Sequence, residues 1–560
     1  MPAGAIPTRL RRIAIALVAG AAMLPPLAAA QIASNDLPGL DEKIDLSGPL
    51  WGASRAGQYL AGHQAQRQND PAAAARFLEQ ALGHDPNNLG LVRHVFILMV
   101  AEGQLDDASQ HARMILNNEP AAFVPTLTLA VRALKAGEYH AALGLFGNLD
   151  NTAHYGMMRA LGQAWAAAGA GDLTAARAAL SFPISMRGWD AIQTIHRALI
   201  EDLAKGNPEE AYAALEASPA GRSAASAALL QNFRDRQADP SAAALITEPA
   251  EGLALAFGTI ASALARGDTN LTSTVYAQMG LWLSPQDERL LLALADALQS
   301  KDRYKDAAEA YSRVPATSDY YYPAQIARVR NLAAADEQEA AIALTRELAA
   351  AHPDNGEALR ELGNLLRRDK RFEEAADAYN AAFDRIAANG GKADWQLYYT
   401  RGIAYERIGE WTKAEADFRK ALELENEQPL VLNYLGYSWI DRGENLEEGA
   451  AMVRRAAELR PDDGYIADSV GWAAYRMGDY EEAVSELERA ILIEPLDPTI
   501  NEHLGDLYWL VGRKIEARYQ WERAMSFDPE PERIAGLEER LACTDEVCAP
   551  LQKEEKGVAQ

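Results

Sequence analysis

Glu502, His503 and Asp506 stand within one five-residue window. Two carboxylates flanking an imidazole could hold a divalent metal or share a proton in acid/base work. Either use needs the three side chains to converge. On a helix each residue turns about 100°, so Glu502, Asp506 and Trp509, at spacings of four and three, share one face. His503 turns away from both acids and sits beside Leu504-Gly505. The window therefore reads as two faces of one helix. Other chemistry is sparse. Four of the nine histidines, His63, His84, His94 and His111, fall near the start, at spacings that bring them to no common face. Walker loop, HExxH and GxSxG patterns are absent. Fragments such as Gly169-Ala170-Gly171 fall at helix turns and not after strands, so they argue weakly for a nucleotide. No catalytic residue, metal or cofactor is expected, and the chain is not read as an enzyme.

The elements that position these residues follow a period. Gly402, Gly436, Gly471 and Gly505 recur at 34 or 35 residues. Each opens the same series, as in Gly402, Ala414, Phe418, Ala421 or Gly505, Ala517, Trp521, Ala524, Pro529. A second series, Gly409, Gly443, Gly478 and Gly512, follows seven residues behind the first. Near the start, Gly103, Gly137, Gly171 and Gly206 keep a similar step. Glycine takes the left-handed conformation that ends a helix without a Cβ penalty. Each unit is thus expected to be two helices. Small residues allow close approach, large ones fill the gap, and neighbours bury what one pair leaves open.

The pattern resembles the tetratricopeptide repeat family, most fully through Leu504-Gly505, Tyr508, Ala517, Trp521, Ala524 and Pro529. The resemblance implies an all-α, right-handed α-solenoid of about 11 to 14 helix-turn-helix units. It covers residues 55–217 in degenerate form and 252–530 more strictly. An irregular repeat or joint is expected at 218–251, a capping helix at 531–545 and a flexible tail at 546–560. In this family the first helix of each unit lines the concave face. That register places Arg360, Asn364, Tyr399, Asn433, Tyr437, Asp468, Trp472, Tyr475, Arg476, Glu502, Asp506 and Trp509 there. Aromatics and arginine are common interface anchors, although Trp472 and Trp509 could equally pack between repeats. The family's clamp for a carboxylate terminus matches only at Arg360 and Asn364. Thr400, Leu430 and Tyr434 stand where Asn and two basic residues belong. The mixed aromatic and acidic lining suits an internal or basic peptide segment, or a folded protein surface.

Location is read from the first thirty residues. Arg9, Arg11 and Arg12 precede an apolar run from Ile13 to Leu24, Pro25-Pro26 break it, and Ala28-Ala29-Ala30 offers a cleavage site. This is a secretion signal, and general export fits it better than the twin-arginine route. No cysteine near the cleavage site would carry a lipid. Residues 31–54 are expected to be extended. No later run is apolar enough to span a bilayer. In an oxidising compartment the close pair Cys543 and Cys548 reads as a disulfide. With 54 basic against 80 acidic residues and a net charge of −26, the surface repels nucleic acid. These observations lead to a non-catalytic periplasmic scaffold that binds envelope proteins, and many repeats behind an export signal, ending in HLGDLYW and EARYQWERA, resemble bacterial envelope repeat proteins; that resemblance implies an adaptor for a processing protease or cell-wall hydrolase. The alternative is a component of a secretion or exopolysaccharide-export machine.

Overall fold

The computed structural model describes residues 54–543 apart from 151–152, 185–188, 206–207, 219–223, 240–243 and 265–269. The expected signal segment, nearly all of 31–54, the tail and Cys548 lie outside them. Among the described residues there are 28 helices and no strand. The chain divides into two compact units, Met1–Leu344 and Thr345–Gln560.

The first unit holds α1 (Arg55–Arg67), α2 (Pro71–Gly83), α3 (Leu89–Ala101), α4 (Leu105–Asn118), α5 (Phe123–Lys135), α6 (Tyr139–Gly147), α7 (Ala153–Gly169), α8 (Leu173–Leu180), α9 (Trp189–Lys205) and α10 (Pro208–Glu216). It continues with α11 (Ala224–Ala238), α12 (Pro249–Leu264), α13 (Asn270–Leu283), α14 (Glu288–Gln299), α15 (Tyr304–Ser312) and α16 (Tyr321–Ala334). The boundary falls inside α17 (Gln338–Ala351). The second unit holds α18 (Glu357–Arg368), α19 (Phe372–Ala388), α20 (Trp395–Arg407), α21 (Trp411–Leu424), α22 (Pro429–Arg442) and α23 (Leu446–Leu459). After these come α24 (Gly464–Arg476), α25 (Tyr480–Ile493), α26 (Pro498–Leu510), α27 (Lys514–Ser526) and α28 (Pro531–Leu541).

Local chemistry sets the helix ends. Asp394, Asp463 and Asp497 each accept a hydrogen bond from a backbone N–H three residues on, capping α20, α24 and α26. Gly409, Gly443, Gly478 and Gly512 all take positive φ between 70° and 86°. Asp302, Asp336 and Lys370 do the same work at φ of 57° to 60°, which is why the glycine series has gaps in those repeats. Close approach is clearest in the last pair. A Cβ on Gly505 would stand 2.5 Å from the Trp521 ring, so α26 and α27 touch only because residue 505 has none.

The first unit departs from simple stacking. Its α12 and α13 turn back and pack against earlier first-of-pair helices, α12 on α5, α7 and α9, and α13 on α3 and α5. The sequence of α12, PAEGLALAFGTIASAL, is apolar all round, as a helix packed on several sides must be. Gly252 of α12 lies against the fully buried ring of Trp165, with no room for a Cβ. Arg303 reaches Glu102 through two bonds of 2.7 and 3.3 Å, across 201 residues. The inner face of these early helices is thus filled by the chain itself. The stretch 218–251 holds α11 and the lead into this turn-back.

Candidate functional site

In the second unit, successive first-of-pair helices are stapled at the repeat period. Arg360 Nη1 of α18 donates to Asp394 Oδ2, 34 residues on, at 2.7 Å. His503 Nδ1 of α26 donates to Asp468 Oδ1 of α24, 35 residues back, at 2.9 Å. Arg540 of α28 donates to Asp506 of α26 through Nε and Nη2 at 2.7 and 2.8 Å, again 34 residues apart. Opposite charges one repeat apart face each other because the helices run side by side.

These staples decide which of the expected groove residues are open. Glu502, Asp506 and Trp509 are not: α28 covers the acids, and all three are buried. Glu502 accepts from Arg533 Nε at 2.7 Å. Asp506 also accepts from Trp521 Nε1 at 2.8 Å, and Trp509 packs 5.4 Å from the Trp521 ring. Asp468 and Tyr475 are buried too. Asn364 accepts from Tyr379 Oη at 2.9 Å within its own helix pair, and Arg360 is half-buried in its staple. Projecting one helix face cannot reveal such coverage, because the covering helix begins 22 residues beyond Trp509.

Five residues remain half-buried on this face. Tyr399 lies in an aromatic layer, 6.0 Å from Tyr434 and 6.1 Å from Phe418, and burial pushes its hydroxyl up to about 12. Tyr437 is held above the usual phenol range by burial and then by the nearby carboxylates of Asp468 and Asp441. Trp472 stacks on His503 at 4.6 Å and 21°. Arg476 Nη1 donates to the Asp441 carbonyl at 3.0 Å. Asn433 completes the set. Asn433 Oδ1, Trp472 Nε1 and Arg476 Nε are buried and meet no hydrogen-bond partner. A buried polar atom left unpaired costs about 1–3 kcal/mol, and these three lie on two neighbouring first helices.

His503 is the titrating element of this face. Burial pulls its pKa down, but the charge and hydrogen bond of Asp468 outweigh that and hold it above the ordinary value. Arg533 from α28 opposes protonation, and Glu502 on the same helix favours it. A histidine with a raised folded pKa adds stability fully present below its unfolded value, about 6.5, and lost as pH rises through the folded value. The second unit is therefore expected to weaken in urea as pH climbs above about 6.5. His503→Gln should flatten that decline, and a variant profile parallel to the parent's would refute the assignment.

Sequence reading missed Lys370, Arg407, Arg533 and Arg540. The signal present in the sequence is opposite charge at the repeat step, Asp506 to Arg540, which falls beyond the last full repeat ending at Pro529. Cys543 is buried just past α28; its expected bridge to Cys548 falls outside the described residues. Among the described residues, no group of three or more His, Cys, Asp or Glu could hold a metal. No helix among them is long and apolar enough to cross a membrane.

Sequence models described as tetratricopeptide repeat match residues 65–122, 355–427, 399–464 and 471–530. The chain is 36% identical over 90 residues to the TPR repeat-containing protein PA4667 of Pseudomonas aeruginosa, a match covering 16% of this chain and 15% of that protein. It is thus aligned with far less than two thirds of that relative's length. Among solved structures it is similar to a tetratricopeptide repeat protein from Parabacteroides merdae, at 19% identity over 44% of this chain and 95% of that one, TM-score 0.37. It is also similar to the APC/C hetero-tetramer Cut9–Hcn1, at 13% identity over 88% and 97%, TM-score 0.38.

Proposed function

We infer, from a chain whose residues 65–122, 355–464 and 471–530 are tetratricopeptide repeats, that it works as an exported protein-binding scaffold. The first-of-pair helices of its second unit form the binding face. The observation that carries this reading is the set of half-buried side chains Asn433, Tyr437, Trp472 and Arg476 on two adjacent first helices. A donor, an acceptor and a guanidinium nitrogen among aromatics suit a polypeptide, which offers N–H and C=O groups at short intervals. Such a site contributes binding and needs no reacting group.

Export, and with it a periplasmic location, is read from the Arg9 to Ala30 pattern. Within that role it acts as an adaptor for envelope proteins, bringing a processing protease and a cell-wall hydrolase together. Support comes from the repeats matched at 65–122, 355–464 and 471–530 behind that pattern.

A photo-crosslinking residue in place of Tyr437, compared with one in place of the exposed Tyr519 of α27, tests the binding face. Crosslinks to envelope proteins from position 437 and not from 519 are expected. Equal crosslinking from both positions, or none from 437, would remove the reading. A protease or hydrolase among the captured proteins supports the adaptor role, whereas an outer-membrane pore replaces it with an export machine.

A further inference from the structure

The last helix of the second unit is held differently from its neighbours. Where α26 buries Ile500, Leu504, Leu507, Tyr508 and Trp509, α28 buries Leu537 and the guanidinium-bearing Arg540. Leu537 joins the apolar cluster of Leu504, Leu507, Trp509 and Trp521, with Leu541 packed against it, and the rest of the hold of α28 on α26 is ionic. Arg533 and Arg540 stand seven residues apart, two helical turns, and therefore share a face. They meet Glu502 at 2.7 Å and Asp506 at 2.7 and 2.8 Å, with Arg540 Nη1 a further 3.6 Å from Glu502. At its other end, Glu530 pairs with Lys370 Nζ at 3.1 Å, across 160 residues. Lys370, and behind it Arg407 and Arg533, hold the Glu530 carboxyl below the usual range. The entry of α28 is thus tied to the far end of α18, while its body packs on α27 and its arginines reach across to α26. Gly536, half-buried between the two arginines, covers little area.

We propose that α28 is a self-ligand. Its arginine face occupies a two-carboxylate cradle, Glu502 and Asp506, and the protein's partner is a helix with two arginines two turns apart that displaces it. This deepens the reading of the inner face as a protein-binding surface and rests on it. Glu502 and Asp506 are out of water because α28 covers them. When α28 leaves they regain hydration, so the exchange of ion pairs for water is close to balanced. A partner helix with a larger side chain where α28 has Gly536 adds apolar burial to that of Leu537. Until then the tethered helix competes at high effective concentration and keeps the cradle closed.

The probe is a fluorescein-labelled synthetic peptide of residues 529–542, with a control peptide in which both arginines are glutamine. The full chain carrying Arg533→Gln and Arg540→Gln should bind the arginine peptide at least about tenfold tighter than the parent chain. Adding Glu502→Gln and Asp506→Asn should abolish that gain, and the control peptide should bind neither chain. Equal binding to parent and double variant, or none to either, overturns the proposal. Hydrogen exchange on the unaltered chain guards against a misfolded variant. Amides of α28 should exchange at least about tenfold faster than those of α26, and faster still in high salt. Equal protection of the two helices at both salt levels also overturns it. Crosslinking from position 437 with no peptide binding would remove the self-ligand and leave the scaffold reading. Peptide binding without any such crosslinks would do the reverse.

Discussion

Trp521→Ala should cost the second unit about 3–5 kcal/mol, the range for emptying a large buried aromatic site. The side chain is fully buried and does three jobs. Its ring edge fills the space that Gly505 leaves open. Its face packs 5.4 Å from Trp509. Its Nε1 gives Asp506 a hydrogen bond that the two arginine bonds do not replace. The substitution therefore opens a cavity and strips a donor from a buried carboxylate. Trp521→Phe keeps most of the volume and loses the donor, so it should cost about 1–3 kcal/mol, the value of the missing bond. Urea unfolding followed by near-ultraviolet circular dichroism reads both. An Ala cost below that of Phe would mean that the stacking of α26 on α27 rests elsewhere.

The second large effect sits at Arg401. Its Nε and Nη2 grip Asp417 at 2.8 Å each, and its guanidinium lies 3.8 Å from the Phe383 ring centre. Burial pushes the Asp417 carboxyl up even against the pull of Arg401. Arg401→Ala leaves that carboxylate buried and uncompensated, at a cost of about 3–5 kcal/mol. Removing both charges at once, as Arg401→Met with Asp417→Leu, should recover most of the loss, because apolar packing can replace a buried pair. A double variant as unstable as the single one would show that the geometry of the pair, and not the stranded charge, carries the effect. Comparing the three chains in urea at one pH decides it.

The stacked architecture was legible because its causes are local. A small residue at 505, a large one at 521 and a left-handed glycine at 512 act within one helix pair, and such constraints recur wherever a pair recurs. The face proved harder to read. Projection puts Glu502 and Asp506 among the residues lining a concave face, where the structure buries both beneath α28. It could not tell whether that side meets solvent, since this depends on where α28 lies. The opposite charges at 506 and 540 carried that information, and a search for opposite signs one period apart would have recovered it together with Arg360 and Asp394. His503 shows the other limit. Its partner Asp468 stands 35 residues away on another helix, and spacing within one helix carries no information about a pair made across two. The turn-back of α12 had a faint trace in its all-round apolar sequence. Nothing in a 34-residue step says which earlier helices such an element will meet.

That turn-back has a consequence for how the protein is made. In the second unit most contacts join helices close in sequence, so structure can propagate from any nucleus, pair by pair, as in other stacked arrays. The first unit needs contacts such as Arg303 with Glu102, and these must wait until some two hundred residues have followed Glu102. Closing loops of that length is slow. A nascent chain that has reached α10 but not α12 carries an uncovered apolar inner face, and it stays sticky until the later helices arrive. The two units thus differ in kinetic character despite sharing one repeat. Helices α12 and α13 complete that face, so it is closed only after they have been made.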